Sequence, residues 1–94
     1  MFEIARTDDG VISLKGRFDA SQVQAARTVL DTIAESYTLD FGALTYISSA
    51  GLGLLFATQK RLVDAGGALK LINLNPHIRE IFQIAGFDNI FEIA

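Results

Sequence analysis

Three times along this chain the spacing of apolar residues changes from a period of two to a period of about 3.6, each time across a helix-capping residue. Val11-Ile12-Ser13-Leu14-Lys15 alternates, and Asp19-Ala20-Ser21-Gln22 follows as a capping box, an acidic N-cap with Gln three residues on. Val23, Ala26, Leu30 and Ile33 then recur at helical spacing, which predicts an amphipathic helix over roughly Ala20–Glu35 with Gln24, Arg27, Thr28 and Asp31 outside. Tyr37-Thr38-Leu39-Asp40-Phe41 predicts a short strand that Gly42 ends. After it, Ser48-Ser49 opens a second helix with Leu52, Leu55, Phe56, Gln59, Leu62 and Val63 as its inner face and Gly66-Gly67 at its close. Ala68-Leu69-Lys70-Leu71-Ile72 is the next strand. Asn75-Pro76 starts a third helix, Asn as N-cap and Pro at the first helical position. Its stripe is Ile78, Ile81, Phe82 and Ala85; Gly86 ends it and Phe87 folds back on the last turn. Ile90-Phe91-Glu92-Ile93 predicts a final edge strand.

Ahead of the first helix, Phe2 and Ile4 alternate with Glu3 and Ala5. Thr7-Asp8-Asp9-Gly10 interrupts before Val11, which reads as a β-hairpin. The predicted order is ββαβαβαβ. Strands alternating with helices imply right-handed crossovers and a mixed, mostly parallel sheet packed with helices. The expectation is one α/β domain over residues 1–94. Half of the residues are hydrophobic, enough for one core; with seven Phe and no Trp, Phe, Leu and Ile fill it.

Several function classes drop out on composition. The net charge is −3 and the basic residues are scattered, Lys60-Arg61 being the only adjacent pair, so no nucleic-acid partner is expected. No cysteines means no disulfide and no thiolate chemistry, and a cytoplasmic setting is expected. Met1-Phe2-Glu3-Ile4-Ala5-Arg6 lacks a basic n-region and a long apolar run, so neither a signal peptide nor membrane insertion is expected. Ser48-Ser49 lacks the Gly-x-Ser-x-Gly elbow, and His77, the single histidine, sits at a helix start. One His and no carboxylates at ligand spacing give no metal site. Gly51-Leu52-Gly53 lacks a dinucleotide fingerprint, and no Gly-Lys-Ser/Thr phosphate loop is present. The chain reads as a non-enzymatic module with no catalytic residues and no cofactor.

Two loops leave the carboxyl ends of predicted strands, 16–19 and 42–51, and sites gather at such ends. Placed side by side, they bring Asp19 toward Ser49. The serine pair has two readings on its residues alone. Serine is a favoured N-cap, worth about 1 kcal/mol, and Gly51 and Gly53 let a helix approach a sheet closely. A hydroxyl at a helix start is also well placed to carry a phosphate, because free N–H groups and the positive end of the helix dipole lie beside it.

Leu39-Asp40-Phe41 followed by Leu44-Thr45-Tyr46-Ile47-Ser48-Ser49-Ala50-Gly51-Leu52-Gly53-Leu54-Leu55 resembles the STAS domains, and within them the bacterial anti-sigma factor antagonists. Gly16-Arg17-Phe18-Asp19 and the Asn75-Pro76 helix ending at Gly86-Phe87 support the likeness, which covers essentially the whole chain. The resemblance implies a phosphorylation switch. The unphosphorylated antagonist binds an anti-sigma factor that is also a serine kinase of the histidine-kinase-like ATPase type. Phosphorylation releases the kinase, and a phosphoserine phosphatase restores the antagonist. The acceptor position matches Ser49 in preference to Ser48, and the acid that assists partner binding or phosphoryl transfer matches Asp19. The partner-binding set is then Asp19, Ser48, Ser49, Ala50, Gly51 and Leu52. Ser48 stands where many members carry Asp, and Ala50 where many carry a second hydroxyl. The resemblance also admits a different use, as a cytoplasmic STAS subunit docked to a membrane transporter of the lipid ABC type.

Overall fold

The alternating N-terminal residues form a hairpin in the computed structural model, which describes residues 1–7 and 9–94; Asp8, in the interruption between the two runs, lies outside them. Strand β1 (Phe2–Arg6) pairs antiparallel with β2 (Val11–Phe18), Ile4 opposite Leu14. Gly10 turns the chain with φ 82°. Ile12 and Leu14 are buried on one face while Ser13 and Lys15 are exposed on the other, as a period of two requires.

Asp19 serves as a helix cap, but the predicted single helix is two pieces: a 3-10 turn at Ala20–Gln22 and then α1, Val23–Leu30. The Gln22 amide reaches the Ser21 hydroxyl, so the returning half of the capping box is not formed. The stripe Ala26, Leu30 and Ile33 is buried as its spacing predicts. The helix stops short of Glu35: beyond Leu30 the backbone bonds tighten to three residues, Thr32 N–H to the Val29 carbonyl and Ile33 N–H to that of Leu30, and a distant side chain joins them. Arg61 donates from Nη2 to the Leu30 carbonyl at 2.9 Å and from Nη1 to that of Ile33 at 2.8 Å.

Strand β3 runs Tyr37–Ile47, past Gly42 rather than ending there. Its pairing explains the length. β4 (Leu69–Ile72) accompanies β3 only as far as Asp40, opposite Ile72. β2 stays alongside to Phe18 opposite Ile47, with register shifts on the way. Gly42 sits where β4 departs, its N–H donating to Asp40 Oδ1 at 2.8 Å.

Helix α2 spans Ser49–Asp64. Leu52, Leu55, Gln59 and Leu62 are buried as expected, but Phe56 and Val63 are exposed, and Leu54 and Thr58 are buried in their place. The buried stripe is rotated toward α1, whose Arg27 and Asp31 share a cleft with Leu54, Thr58 and Arg61. Gln59 is a buried amide with both ends used: Oε1 accepts from the Leu69 N–H at 2.7 Å, and Nε2 donates to the Ile90 carbonyl at 2.8 Å. Helix α3 (Pro76–Ile84) starts at Asn75 as its capping residues predict and ends before Gly86, φ 77°. Ile78 and Phe82 are buried, Ile81 partly, and Ala85, as the C-cap residue, is exposed. Phe87 folds back onto Phe82, with ring centroids 6.3 Å apart, and stacks on Phe56 at 5.7 Å. The last strand, β5, is shorter than predicted, Glu92–Ile93, because Phe87–Asn89 forms a 3-10 turn first.

Among the described residues, the strand order β1-β2-β3-β4-β5 shows the chain crossing the sheet in one direction. β2 to β5 are mutually parallel. Right-handed crossovers that all step the same way put the helices on one face. The strands agree: Leu69 and Leu71 are buried while Lys70 is exposed. Among the described residues the strand order never reverses, unlike the doubly wound sheets whose ligand crevice opens at such a reversal. The carboxyl ends of the strands carry projecting loops instead.

Candidate functional site

Gly16 sets the geometry of the first loop. Its φ is 88°, and a Cβ there would collide with the Met1 carbonyl. The same carbonyl accepts the Arg17 N–H at 2.9 Å. The register between β2 and β3 shifts between Gly16 and Arg17, a bulge that re-aims the residues after it. Arg17 then points to solvent while Phe18 is fully buried and stacked on Phe2, ring centroids 4.8 Å apart. The Arg17 guanidinium lies over the ring of Tyr46, its partner across the sheet, at 4.3 Å.

The two loops are joined by backbone. Phe18 faces Ile47, and the Ser48 N–H donates to the Phe18 carbonyl at 2.9 Å. Asp19 and Ser49 are the residues immediately beyond this bond, so the structure brings their two segments together as the topology predicts. Asp19 Oδ1 accepts from both the Ser21 N–H at 3.0 Å and the Ser21 hydroxyl at 2.6 Å. The Ser21 hydroxyl, chiefly, holds the Asp19 carboxyl below its ordinary value, with the Ser21 N–H and the charge of Arg17 acting in the same direction.

The serines divide the two readings between them. Ser48 is the N-cap: its backbone is extended, its Oγ accepts from the Gly51 N–H at 3.1 Å, and its carbonyl accepts from Leu52 at 2.9 Å. Ser49 is the first helical residue, exposed, and its hydroxyl makes no hydrogen bond among the described residues. The N–H groups of a helix's first turn have no backbone acceptor within the helix; with the Ser48 N–H on Phe18 and the Gly51 N–H on Ser48 Oγ, those of Ser49 and Ala50 are the open ones beside this hydroxyl among the described residues. Ala50 is exposed with it. Gly51 and Leu52 face inward: a Cβ on Gly51 would press on Ile47 Cγ1 at 3.1 Å and on Phe18 at 3.3 Å, and Leu52 is 8% exposed. Those two seat the helix, while Ser49 and Ala50 present it. Gly53 does not share Gly51's packing role, since nothing lies within 4 Å of a Cβ built there.

The third helix start is tied to the same end of the sheet. Asn75 Nδ2 donates to the Leu44 carbonyl at 3.1 Å while its Oδ1 accepts from Ile78 at 2.8 Å. His77 is exposed just inside that helix. Among the described residues, no group of three or more His, Asp or Glu is placed to hold a metal ion, and no helix is long and apolar enough to cross a membrane. Sequence reasoning passes over the Arg17–Tyr46 stack. The pair faces across a parallel register that includes a bulge, which residue spacing does not reveal.

Residues 2–92 match a family model described as Mlab, STAS domain. BtrV of Bordetella bronchiseptica, named as an anti-sigma factor antagonist, is 42% identical over 77 residues. That match covers 81% of this chain and 66% of BtrV, so the chain spans just under two thirds of that relative's length. The anti-sigma-B factor antagonist of Bacillus subtilis is 29% identical over 90 residues, 93% of this chain and 83% of that protein. Among solved structures, the anti-sigma factor antagonist SpoIIAA in its unphosphorylated form superposes with a TM-score of 0.74 at 20% identity, covering 100% of this chain and 87% of that one. The Bacillus cell fate determinant SpoIIAA in the phosphorylated form gives 0.72 at 22% identity, covering 100% and 91%. At those identities the likeness is one of fold.

Proposed function

Because this chain belongs to the STAS domain family, we propose that it is an anti-sigma factor antagonist whose partner binding is switched by phosphorylation of Ser49. It acts by binding rather than by catalysis, and in the cytoplasm. Unphosphorylated, it sequesters an anti-sigma factor that is a serine kinase of the histidine-kinase-like ATPase type. Transfer of the ATP γ-phosphoryl group to Ser49 Oγ, with loss of the hydroxyl proton and release of ADP, ends the complex. A phosphoserine phosphatase reverses the change.

The observation that carries this reading is the division of labour at the helix start. Ser48 does the capping, and that leaves the exposed Ser49 hydroxyl free of any structural duty among the described residues. A phosphate there brings about −1.5 to −2 charges and three acceptor oxygens. The open N–H groups of the first turn satisfy part of that demand within the domain, so α2 stays folded. A partner seated on Ser49 and Ala50 meets instead a desolvated anion with Asp19 beside it, and each ~1.4 kcal/mol of lost interaction is tenfold in Kd. SpoIIAA, a protein of the same fold, is known in unphosphorylated and phosphorylated forms, and this chain superposes on the two about equally well.

The test is to purify the chain with its bound partner from its own cells, identify that partner, and incubate the two with labelled ATP. The reading expects an ATPase of the kinase type and label confined to Ser49. Label on Ser48, or none, overturns the site; recovery of a membrane transporter ATPase without phosphate incorporation favours the docking subunit.

A further inference from the structure

We infer that Arg17, whose guanidinium lies over the Tyr46 ring, is a specificity-determining residue that pairs with a carboxylate side chain of the protein partner. The inference rests on the proposed function and adds a second, charge-reading contact to the interface at Ser49.

Three observations carry it. The first is position. Arg17 and Tyr46 face each other across β2 and β3, one residue before the Phe18–Ile47 pair and its adjoining Ser48–Phe18 hydrogen bond. A partner large enough to cover Ser49 and Asp19 reaches this pair. The second is chemistry. The guanidinium lies over the Tyr46 ring, 4.3 Å from its centroid. A ring makes no demand on the guanidinium's fork of N–H donors, which matches the two oxygens of a carboxylate. Contact with the ring restricts the side chain, so less rotamer freedom is left to lose on binding.

The third is that the fork has no work within the domain. Among the described residues Arg17 takes part in no side-chain hydrogen bond and no ion pair; Lys70–Glu92 is the ion pair present, far along the sheet. Asp19, the nearest acid in sequence, has its Oδ1 engaged twice by Ser21. In a chain of net charge −3, this cation is a local exception beside the serine corner. An acidic side chain on the partner completes it, and the pairing selects among partners by charge.

The experiment uses the kinase that labels Ser49, with binding measured against full-length chains over a range of salt concentrations. Arg17→Gln is expected to weaken Kd about tenfold and to flatten its salt dependence. Arg17→Lys is expected to keep the salt dependence but recover only part of the affinity, having the charge without the fork. Tyr46→Leu, which removes the platform and keeps the cation, is expected to fall between wild type and Arg17→Gln. All three are checked for unchanged thermal unfolding, and Ser49 labelling at saturating kinase reports an intact corner. Equal Kd and equal salt slope for wild type and Arg17→Gln overturn the inference and leave the switch standing. A wild-type chain that no kinase binds or labels overturns both.

Discussion

The backbone N–H of Ser48 donates to the carbonyl of Phe18 at 2.9 Å. This one bond extends the β2–β3 pairing past the last strand residues and fastens the start of α2 to the loop that carries Asp19. It also leaves Ser48 and Ser49 with different tasks, one holding the helix and one facing outward.

That difference is measurable. Ser48→Ala removes the acceptor of the Gly51 N–H and is expected to cost about 1 kcal/mol of stability. Ser49→Ala removes a hydroxyl with no partner and is expected to stay within about 0.5 kcal/mol of wild type. Urea unfolding of both variants checks this; equal losses would contradict the assigned roles.

Binding should respond in the opposite way. Ser49→Ala is expected to hold the kinase as tightly as wild type and to take up no phosphate. Ser49→Glu, which puts a single charge where the phosphate would be, is expected to weaken the complex about tenfold. Isothermal calorimetry with the isolated kinase reads both.

The three glycines of the corner make a graded series. Gly16→Ala must take φ 88° and meet the Met1 carbonyl, so a loss of about 2 kcal/mol or more is expected. Gly51→Ala forces Ile47 and Phe18 to give by a few tenths of an ångström, and a loss of about 1 kcal/mol is expected. Gly53→Ala meets nothing within 4 Å and relieves a helix-interior glycine, so stability is expected to rise by about 0.5–1 kcal/mol. A rank order of melting temperatures other than Gly53→Ala, wild type, Gly51→Ala, Gly16→Ala would show that the helix seats differently.

Asp19 gives a pH dependence of known sign. Its folded carboxyl titrates below its ordinary value, chiefly through the Ser21 hydroxyl. A carboxyl lowered in the folded state contributes stability above its unfolded value, about pH 4, and that contribution disappears as pH falls through the folded value. Carbon-detected NMR titration of Asp19 should show the lowered midpoint in wild type and a return toward the ordinary value in Ser21→Ala. No movement between the two would remove Ser21 as the cause.

Gln59 offers a test of the scaffold. Gln59→Leu keeps the volume of the side chain but leaves the Leu69 N–H and the Ile90 carbonyl without their partner, for an expected loss of about 2–3 kcal/mol. Hydrogen exchange at Leu69 should accelerate most, and an unchanged rate there would rule out the bond as its protection.

Features written within a few adjacent residues are legible in the sequence. Asn75-Pro76 starts α3, Gly86 stops it, and Ser48-Ser49 begins α2, because capping needs only the residues of one turn. Features decided by distant partners are not. Gly42 reads as a strand end because a glycine interrupts β propensity, yet β2 continues to pair and carries β3 to Ile47. The predicted first helix ends at Leu30, and the carbonyls of Leu30 and Ile33 are held by Arg61, 28 residues beyond Ile33. A symmetric stripe places Phe56 and Val63 inward, while α1 lies to one side and draws Leu54 and Thr58 in. At the corner, Asp19 and Ser49 come from the family resemblance, and the capping geometry separates Ser48 from Ser49. Arg17 requires the register itself.

The bond between Met1 and Arg17 has a practical side. The antiparallel first strand begins next to Gly16, opposite Phe2, so its leading end lies at the rim where the serine corner projects. The final strand ends level with Ile12, near the start of β2 rather than at that rim, and at the far edge, with β3 and β4 between it and β2. A tag or fluorophore at Met1 is therefore expected to sit beside the proposed docking surface and to compete with the partner for space. Ala94 follows the opposite edge strand, which makes it the better position for immobilisation or labelling in every binding measurement above.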